Sequence, residues 1–390
     1  MQRPVTLLLN IAHAVDHLFL LVFATAVAAI ARDFGFARWE DLMPYGAGAF
    51  VLFGLGSLPA GRLGDQWGRR QMMVVFFFGM GAAALLVAVT QNAWQLAAAL
   101  TLLGAFSSIY HPVGIPMLVQ KSANPGAAIG VNGLSGNLGI AAAALLTGFL
   151  VAHVGWRAAF AVPGVACLAL GALFMRVAPH ETEPPSARSR KAAVPLTRPQ
   201  LARVLAVMTM ASASGGLIFN LTTNGNGQLL VERFRGLVED PARLGLLLAT
   251  VYAVASLAQL VVGRLIDRYP LKPLWLGIVL MQVPMLYAAA HAQGWWLFAA
   301  LLGTMAFVFG AIPFTDATIV RFVDDRMRSR VAGMRLAISL GISSVAVWAL
   351  GPAVKAAGFG TLFAVMSGVA LLTATFVLWM PSEREPLAKI

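Results

Sequence analysis

The sequence predicts an all-α polytopic membrane protein with about twelve transmembrane helices in two homologous halves. Composition is the first observation that supports this fold class: hydrophobic residues make up 59% of the 390 residues and charged residues only 11%. A soluble domain carries about twice that charged fraction, and the mean hydropathy here is +0.78. The second observation is a series of apolar segments of membrane-spanning length. The third is a polar motif that recurs in the second half, as expected for a duplicated membrane protein.

The apolar segments are the predicted transmembrane helices, because about 20 consecutive apolar residues suffice to cross a bilayer. They lie near 6–30, 42–61, 72–90, 93–117, 127–151, 156–177, 203–228, 244–264, 272–291, 295–318, 333–353 and 359–380. Between the sixth and the seventh, the chain is rich in Pro, Ser, Arg and Glu and lacks apolar periodicity, which is typical of a linker. We therefore expect an N-terminal six-helix bundle over 1–180, a cytoplasmic linker over 181–202 and a C-terminal six-helix bundle over 203–390.

The net charge of +12 reports orientation and does not indicate a nucleic-acid partner. If the N-terminus is cytoplasmic, only seven of the 28 Lys and Arg residues fall in loops on the opposite side of the membrane. These are Arg32, Arg38, Arg157, Arg233, Arg235, Arg243 and Lys355. Such a bias is the positive-inside rule. We expect a monomeric, multi-pass protein of a bacterial-type cytoplasmic (inner) membrane, with both termini in the cytoplasm.

The recurring polar motif is the stretch Gly61–Arg70, in which three arginines and one aspartate separate two apolar segments. These charges cannot lie in hydrocarbon, so we predict a tight turn, and a weaker copy occupies Gly263–Pro270. We expect the motif to form a conformational latch between helices and not a substrate site. The latch residues are Gly61, Asp65, Arg69, Arg70, Gly263, Asp267 and Arg268. Elsewhere, Asp316 is expected to form a structural pair with an arginine such as Arg335, and a coupling role is the alternative.

The fifth apolar segment is rich in small residues. Gly130, Gly133, Gly136 and Gly139 occur at every third position, and small residues let helix backbones approach closely. We predict that Gly133, Gly136 and Gly139 pack against a neighbouring helix. This contact is either static or one that opens and closes during function.

The first apolar segment contains the strongest candidate for chemistry. Asp16 lies about ten residues into it, near the bilayer midplane, where an ionised carboxylate is costly unless it is paired or faces water. His13 and His17 are spaced i, i+4 and share one broad helix face with Asp16. We expect the three residues to line a water-accessible cavity and to take up a proton on one side of the membrane and release it on the other. A buried structural network is the alternative.

Polar residues in other apolar segments are candidates for substrate binding. Tyr110 and His111 precede a proline that can kink the fourth helix, and His111 is either a ligand or a packing residue at the kink. Asn220 and Asn224 belong to the amide-rich outer end of the seventh segment, which either lines an external vestibule or is a frayed helix end. Asn137 either faces a cavity or makes hydrogen bonds in the core.

These motifs resemble those of a known family. The Gly61–Arg70 stretch and its copy are similar to the repeated loop signature of the major facilitator superfamily, and the resemblance covers essentially the whole chain. It implies two pseudo-symmetric six-helix bundles around a central cavity that opens alternately to each side. More narrowly, His13–Asp16, Ser107–Pro112 and Ser135–Gly139 resemble the fosmidomycin-resistance branch of drug:proton antiporters. The fifth segment is similar to a glycine-rich antiporter motif, although Ile-Ala at 140–141 replaces the usual Gly-Pro pair.

The sequence therefore predicts a secondary transporter, not an enzyme, that exports a small organic molecule in exchange for protons. It contains no nucleotide-binding loop, no His-Glu-x-x-His motif and no nucleophile motif, so an ion gradient is the expected energy source. We expect no cofactor and no resident metal; the partners are the substrate, protons and the lipid bilayer. Two alternatives stay open: a transporter of a transition metal or metal chelate that uses His13, Asp16, His17 and His111, and a non-transporting membrane receptor.

Overall fold

A computed structural model of the chain describes residues 3–119, 125–179, 197–323 and 325–381, and every regular element in these ranges is helical. The first half contains α1 (Arg3–Asp33), α2 (Trp39–Leu42), α3 (Ala47–Trp67), α4 (Arg69–Ala88), α5 (Ala93–Ser107), α6 (Ile115–Val119), α7 (Pro125–His153) and α8 (Trp156–Val177). The second half contains α9 (Arg198–Arg233), α10 (Pro241–Ile266), α11 (Leu271–His291), α12 (Gly294–Phe322) and α13 (Asp325–Trp379). A 3₁₀ turn (Met43–Gly46) joins α2 to α3, and a π-helical turn (Tyr110–Gly114) lies between α5 and α6.

Eleven helical stretches in the described part of the chain are long and apolar enough to cross a membrane. The pair α2–α3 forms one of them, and α5 forms another together with the π-helical turn and α6. The last helix, α13, has 55 residues and contains the two final predicted segments. Gly358 breaks it with a φ of 76° and a ψ of 166°, a backbone conformation that glycine adopts readily. The predicted fold class, with about twelve spans, is confirmed.

The chain packs as two compact units. The first comprises Met1–Ala187, Thr223–Ala253 and Ser344–Lys355, and the second comprises Arg188–Thr222, Val254–Ser343 and Ala356–Ile390. The predicted division into an N-terminal and a C-terminal bundle of six helices stays a prediction. Most of the predicted linker lies outside the described residues. Its last residues are helical, because α9 begins at Arg198.

In the first unit, α1 packs along the glycine-rich helix α7. A Cβ on Gly139 would lie 2.1 Å from the carbonyl oxygen of Ala14, so the two backbones touch at this point and only glycine fits. Gly136 lies against the ring of His13, and Gly133 is half-buried. That this contact opens and closes during function stays a prediction.

The polar motif after the second span is mostly helical. α3 continues to Trp67, and Gly68, with a φ of 95°, is the one residue between α3 and α4. Gly64 packs against the π-helical turn, where an added Cβ would lie 2.9 Å from Cγ2 of Val113. The prediction of a turn over the whole of Gly61–Arg70 is therefore wrong in its length, because glycine in this stretch serves helix packing as well as turning. In the second copy, α10 likewise continues into the motif.

Arg70 is buried at the start of α4 and ties it to the end of α8. Its Nε donates to the carbonyl oxygen of Ala178 at 2.7 Å, and its Nη2 donates to that of Met175 at 2.5 Å. Carbonyls at a helix C-terminus lack partners within the helix and attract a cation, so the guanidinium caps α8. Asp65 and Asp267 are exposed, and the latch assignment stays a prediction.

In the second unit, Asp316 of α12 pairs with Arg335 of α13. Arg335 Nη2 lies 2.9 Å from Asp316 Oδ1, and Arg335 Nη1 donates to the Thr315 hydroxyl at 2.7 Å. This geometry is that of the pair expected from the sequence. The Asp316 side chain is 60% exposed, so solvent screening limits the contribution of the pair to about 1 kcal/mol or less.

Candidate functional site

Asp16 is fully buried in α1, about 20 Å along the helix from its first turn. Its Oδ1 accepts a hydrogen bond from the hydroxyl of Ser107 at the end of α5. Its Oδ2 lies 3.7 Å from Nε2 of His111 and has no hydrogen-bond partner among the described residues. Because Oδ2 of Asp16 accepts no hydrogen bond from the described residues, it is the oxygen on which the carboxyl group can carry a proton.

Three histidines lie beside Asp16. The ring centroids of His13 and His17 are 4.7 Å apart, those of His13 and His111 are 5.1 Å apart, and those of His17 and His111 are 5.8 Å apart. His13 and His17 occupy successive turns of α1, as their spacing predicts, and His111 comes from the π-helical turn. The side chain of His111 is 24% exposed, whereas that of Asp16 is fully buried, and a water-accessible cavity at this cluster stays a prediction.

Tyr110 and Asn132 fix the position of His13. The Tyr110 ring stacks on the His13 ring at 4.8 Å, and the Tyr110 hydroxyl donates to the Leu9 carbonyl oxygen at 2.8 Å. Nδ2 of Asn132 donates to the Tyr110 hydroxyl at 2.7 Å and to Oδ1 of Asn10 at 2.9 Å. His13 Nδ1 donates to the Asn132 carbonyl oxygen at 2.7 Å. α1, α7 and the π-helical turn thus share one polar network.

The path of the chain in the fourth span brings two consecutive residues to this network. Tyr110 and His111 both contact the His13 ring, although consecutive residues of a regular α-helix point about 100° apart. The π-helical turn at Tyr110–Gly114 changes this geometry, and such turns are frequent at functional sites. Pro112 lies within it and has no N–H with which to continue regular helical bonding. The kink expected at this proline takes the form of the π-helical turn.

Three members of the network are not among the predicted site residues: Asn132, Asn10 and Ser107, although Ser107 begins the Ser107–Pro112 motif. Each is a polar residue in a helix, a type that has many structural roles. Asn132 lies one helical turn before Gly136 on α7, and this spacing places it on the face that meets α1. This spacing from Gly136 is the one sequence feature that places Asn132 at the contact between α7 and α1. For Ser107 and Asn10, the partners come only from tertiary packing.

The amide-rich end of the seventh span is a regular helix. α9 continues to Arg233, so the alternative of a frayed helix end is wrong. Asn220 and Asn224 are both buried. In the second unit, Nδ2 of Asn220 donates to the Gly216 carbonyl oxygen at 2.8 Å and to the Ser343 hydroxyl at 2.7 Å. A role of Asn220 and Asn224 in substrate binding stays a prediction.

Asn137 is buried on α7 in the first unit. Its Nδ2 has no hydrogen-bond partner among the described residues. A buried amide donor without a partner is costly. The Nδ2 group of Asn137 is therefore suited to donate a hydrogen bond to a ligand or a water molecule. Binding of substrate by Asn137 stays a prediction.

The family of the chain follows from its match to a known sequence pattern. The family model of the Major Facilitator Superfamily matches residues 9–238. This range is more than half of the chain and includes every member of the network around Asp16. The chain belongs to the Major Facilitator Superfamily. It is therefore a multi-pass membrane transporter of small molecules and not an enzyme, and both predictions are confirmed.

Relatives of this major facilitator include bacterial drug-resistance proteins. Multidrug resistance protein MdtG of Salmonella choleraesuis is 27% identical over 342 residues, which cover 84% of this chain and 82% of the relative. The protein of the same name from Yersinia enterocolitica is 26% identical over 345 residues, which cover 84% of this chain and 80% of the relative. The predicted resemblance to the drug-exporter branch is confirmed.

Solved structures of two other transporters have the same fold. The xylose transporter XylE from E. coli, in an inward-open conformation, matches with a TM-score of 0.79 at 13% identity over 98% of this chain and 97% of that one. A bacterial homologue of the human lysosomal transporter Spinster, inward-facing and occupied, matches with a TM-score of 0.71 at 14% identity over 97% and 95%. At these identities the likeness concerns the fold alone.

Proposed function

We propose that this major facilitator exports a small organic molecule in exchange for protons, and that Asp16 carries the coupled proton. The observation that supports this most is the full burial of the Asp16 carboxyl group, with Ser107 on one oxygen and no hydrogen-bond partner on the other among the described residues. An ionised carboxylate is costly in such surroundings and a protonated one is not. A conformational change that alters access of water to Asp16 therefore alters its proton occupancy.

The groups that face Asp16 suit reversible protonation. Among the described residues its one ion-pair contact is His111, a side chain that itself gains and loses a proton near neutral pH when unperturbed. A lysine or arginine in that place would hold the carboxylate ionised permanently. The two other histidines, His13 and His17, lie on the same helix as Asp16, and Ser107 approaches from α5. Protons reach Asp16 in this proposal through the partly exposed His111.

The direction of transport rests on two observations. The relatives described above are named multidrug resistance proteins, and α7 has the glycine-rich character of the antiporter motif that it resembles. The backbone contact between Gly139 and Ala14 has no interlocking side chains, which suits helices that slide or separate during alternating access.

In this proposal the substrate is contacted by five polar residues: His111, Tyr110, Asn137, Asn220 and Asn224. The charge bias of the loops supports cytoplasmic termini, and we take the monomer as the transporting unit.

The test uses purified full-length protein in liposomes that contain a pH-sensitive dye. A panel of small organic compounds is first screened for thermal stabilisation of the wild-type protein, and the compound with the largest effect serves as the probe. Addition of the probe to one side should drive proton movement through the wild type. Asp16→Asn should abolish that proton flux while the probe still stabilises the protein, because asparagine nearly preserves the size of the side chain.

A matched variant controls for loss of one carboxylate. Glu232→Gln makes the same chemical change at a half-exposed side chain that pairs with the adjacent Arg233, and it should keep the wild-type proton flux. Exchange of labelled probe for unlabelled probe requires no net proton movement, so Asp16→Asn should retain it. Wild-type proton flux in Asp16→Asn would refute the assignment of the coupled proton to this residue.

A further inference from the structure

We propose that His13, His17 and His111 form a binding site for a divalent transition-metal ion of the zinc or nickel type. Imidazole nitrogen is a preferred ligand of these ions. One nitrogen of each of the three rings lies within 4.8 Å of the others, and the rings come from two segments that are far apart in sequence. The proposal stands on the positions of the imidazoles and does not depend on the proposed proton exchange.

His13 is held in the tautomer that a metal ion requires. The carbonyl oxygen of Asn132 can only accept a hydrogen bond, so Nδ1 of His13 carries the proton in their 2.7 Å contact. The lone pair of the neutral ring is then on Nε2, which has no hydrogen-bond partner among the described residues. Metal-binding histidines commonly donate from their other nitrogen to a carbonyl or carboxylate in this manner. Stacking on Tyr110 further fixes the plane of the ring.

The two other rings each place one nitrogen within 4.8 Å of the ligand nitrogen of His13. Nε2 of His17 also lacks a hydrogen-bond partner within the described ranges, and its ring stands at 84° to that of His13. The His111 ring stands at 86° to that of His13. Zn–N bonds of about 2.0–2.1 Å in tetrahedral geometry place the nitrogens about 3.4 Å apart, somewhat closer than here. Binding of the ion therefore requires side-chain rotation of the half-buried His17 and His111 to bring the nitrogens to that spacing.

Asp16 provides a negative charge next to the three imidazoles. Its Oδ2 lies 3.7 Å from Nε2 of His111 and lacks a hydrogen-bond partner in the part of the chain that the structure describes, so it is suited to become a fourth ligand. Three imidazoles and one carboxylate favour zinc, nickel or copper over magnesium and calcium, which prefer all-oxygen sites. A bound ion would cross-link α1 to the π-helical turn of the fourth span.

The test is calorimetric titration of tag-free, purified full-length protein with ZnCl₂ or NiCl₂, in the absence of any transported compound. The wild type should bind one ion per chain, and MgCl₂ should give no binding heat. His17→Ala and His111→Ala should each weaken zinc binding by at least about tenfold, because changes to outer-shell partners alone have effects of that size. Cobalt(II) gives a second readout, since a tetrahedral site changes its visible absorption in the wild type and not in His17→Ala.

His153→Ala is the matched control, since this exposed imidazole stacks on Phe149 outside the cluster, and it should bind zinc as the wild type does. Equal zinc affinity in the wild type and His17→Ala, or equal binding of magnesium and zinc, would overturn the proposal. Size-exclusion elution and the thermal midpoint verify that each variant is folded, and His17→Gln replaces His17→Ala if alanine destabilises the protein. The proton-flux test of Asp16→Asn uses no metal, so the two proposals fail independently.

Discussion

Gly136 of α7 lies directly against the His13 ring of α1. A Cβ built on Gly136 would lie 2.7 Å from Cε1 and 2.8 Å from Nε2 of that ring. No larger residue fits there while His13 keeps its hydrogen bond to Asn132 and its stacking on Tyr110. Because Gly136 has no side chain, the imidazole ring of His13 can occupy the space beside α7.

Gly136→Ala should displace His13 and so impair both stability and transport. Overpacking of this kind lowers the free energy of unfolding by about 1–3 kcal/mol, and the displaced ring should reduce probe-driven proton flux strongly. Gly130→Ala is the matched control on the same helix, because an added Cβ meets no atom within 4 Å and alanine favours a helix over glycine by about 1 kcal/mol. Thermal unfolding in detergent and proton flux in liposomes measure both effects. Wild-type behaviour of Gly136→Ala would show that the His13 position does not depend on this glycine.

Arg70→Lys should destabilise the junction between α4 and α8. The guanidinium reaches two carbonyl oxygens, those of Met175 and Ala178, whereas an ammonium group is a compact charge without that planar fork. Loss of a charge-assisted hydrogen bond lowers the free energy of unfolding by about 1.5–3 kcal/mol. Arg62→Lys makes the same change at an exposed position of the same motif and should leave the thermal midpoint unchanged. Equal midpoints for the two variants would contradict the capping role of Arg70.

Sequence reasoning succeeded where the governing physics is local. The apolar segments predict the membrane-spanning helices, and the i, i+4 spacing of His13 and His17 predicts the contact between their rings. The sequence identifies His111 only as a candidate site residue. Its contacts with His13 and Asp16 depend on how the fourth span packs against the first. The structure adds the ring contacts that join the two segments.

Partners supplied by other helices could not be predicted in the same way. Ser107 donates to Asp16, and Asn132 joins His13 to Tyr110, but neither residue has a local pattern that identifies its partner. Glycine and charge both indicate turns, so the sequence of Gly61–Arg70 predicts a longer turn than the single residue, Gly68, that separates α3 from α4. Its glycines also serve packing, as the approach of Gly64 to the π-helical turn demonstrates, and that role is set by the tertiary structure.

Gly358 divides α13 into two helices, and Gly358→Ala should reveal the cost of its backbone conformation. Its φ of 76° combined with a ψ of 166° lies in a region that is essentially restricted to glycine, and holding a residue with a Cβ there costs about 1–3 kcal/mol. An added Cβ would meet no atom within 4 Å, so crowding makes no contribution and the free energy of unfolding should fall by the backbone cost alone. Gly368→Ala, on the same helix with the same open space and a helical backbone, should be neutral or slightly stabilising. The thermal midpoints of the two variants in detergent measure the difference, and equal midpoints would mean that the break at Gly358 tolerates a side chain.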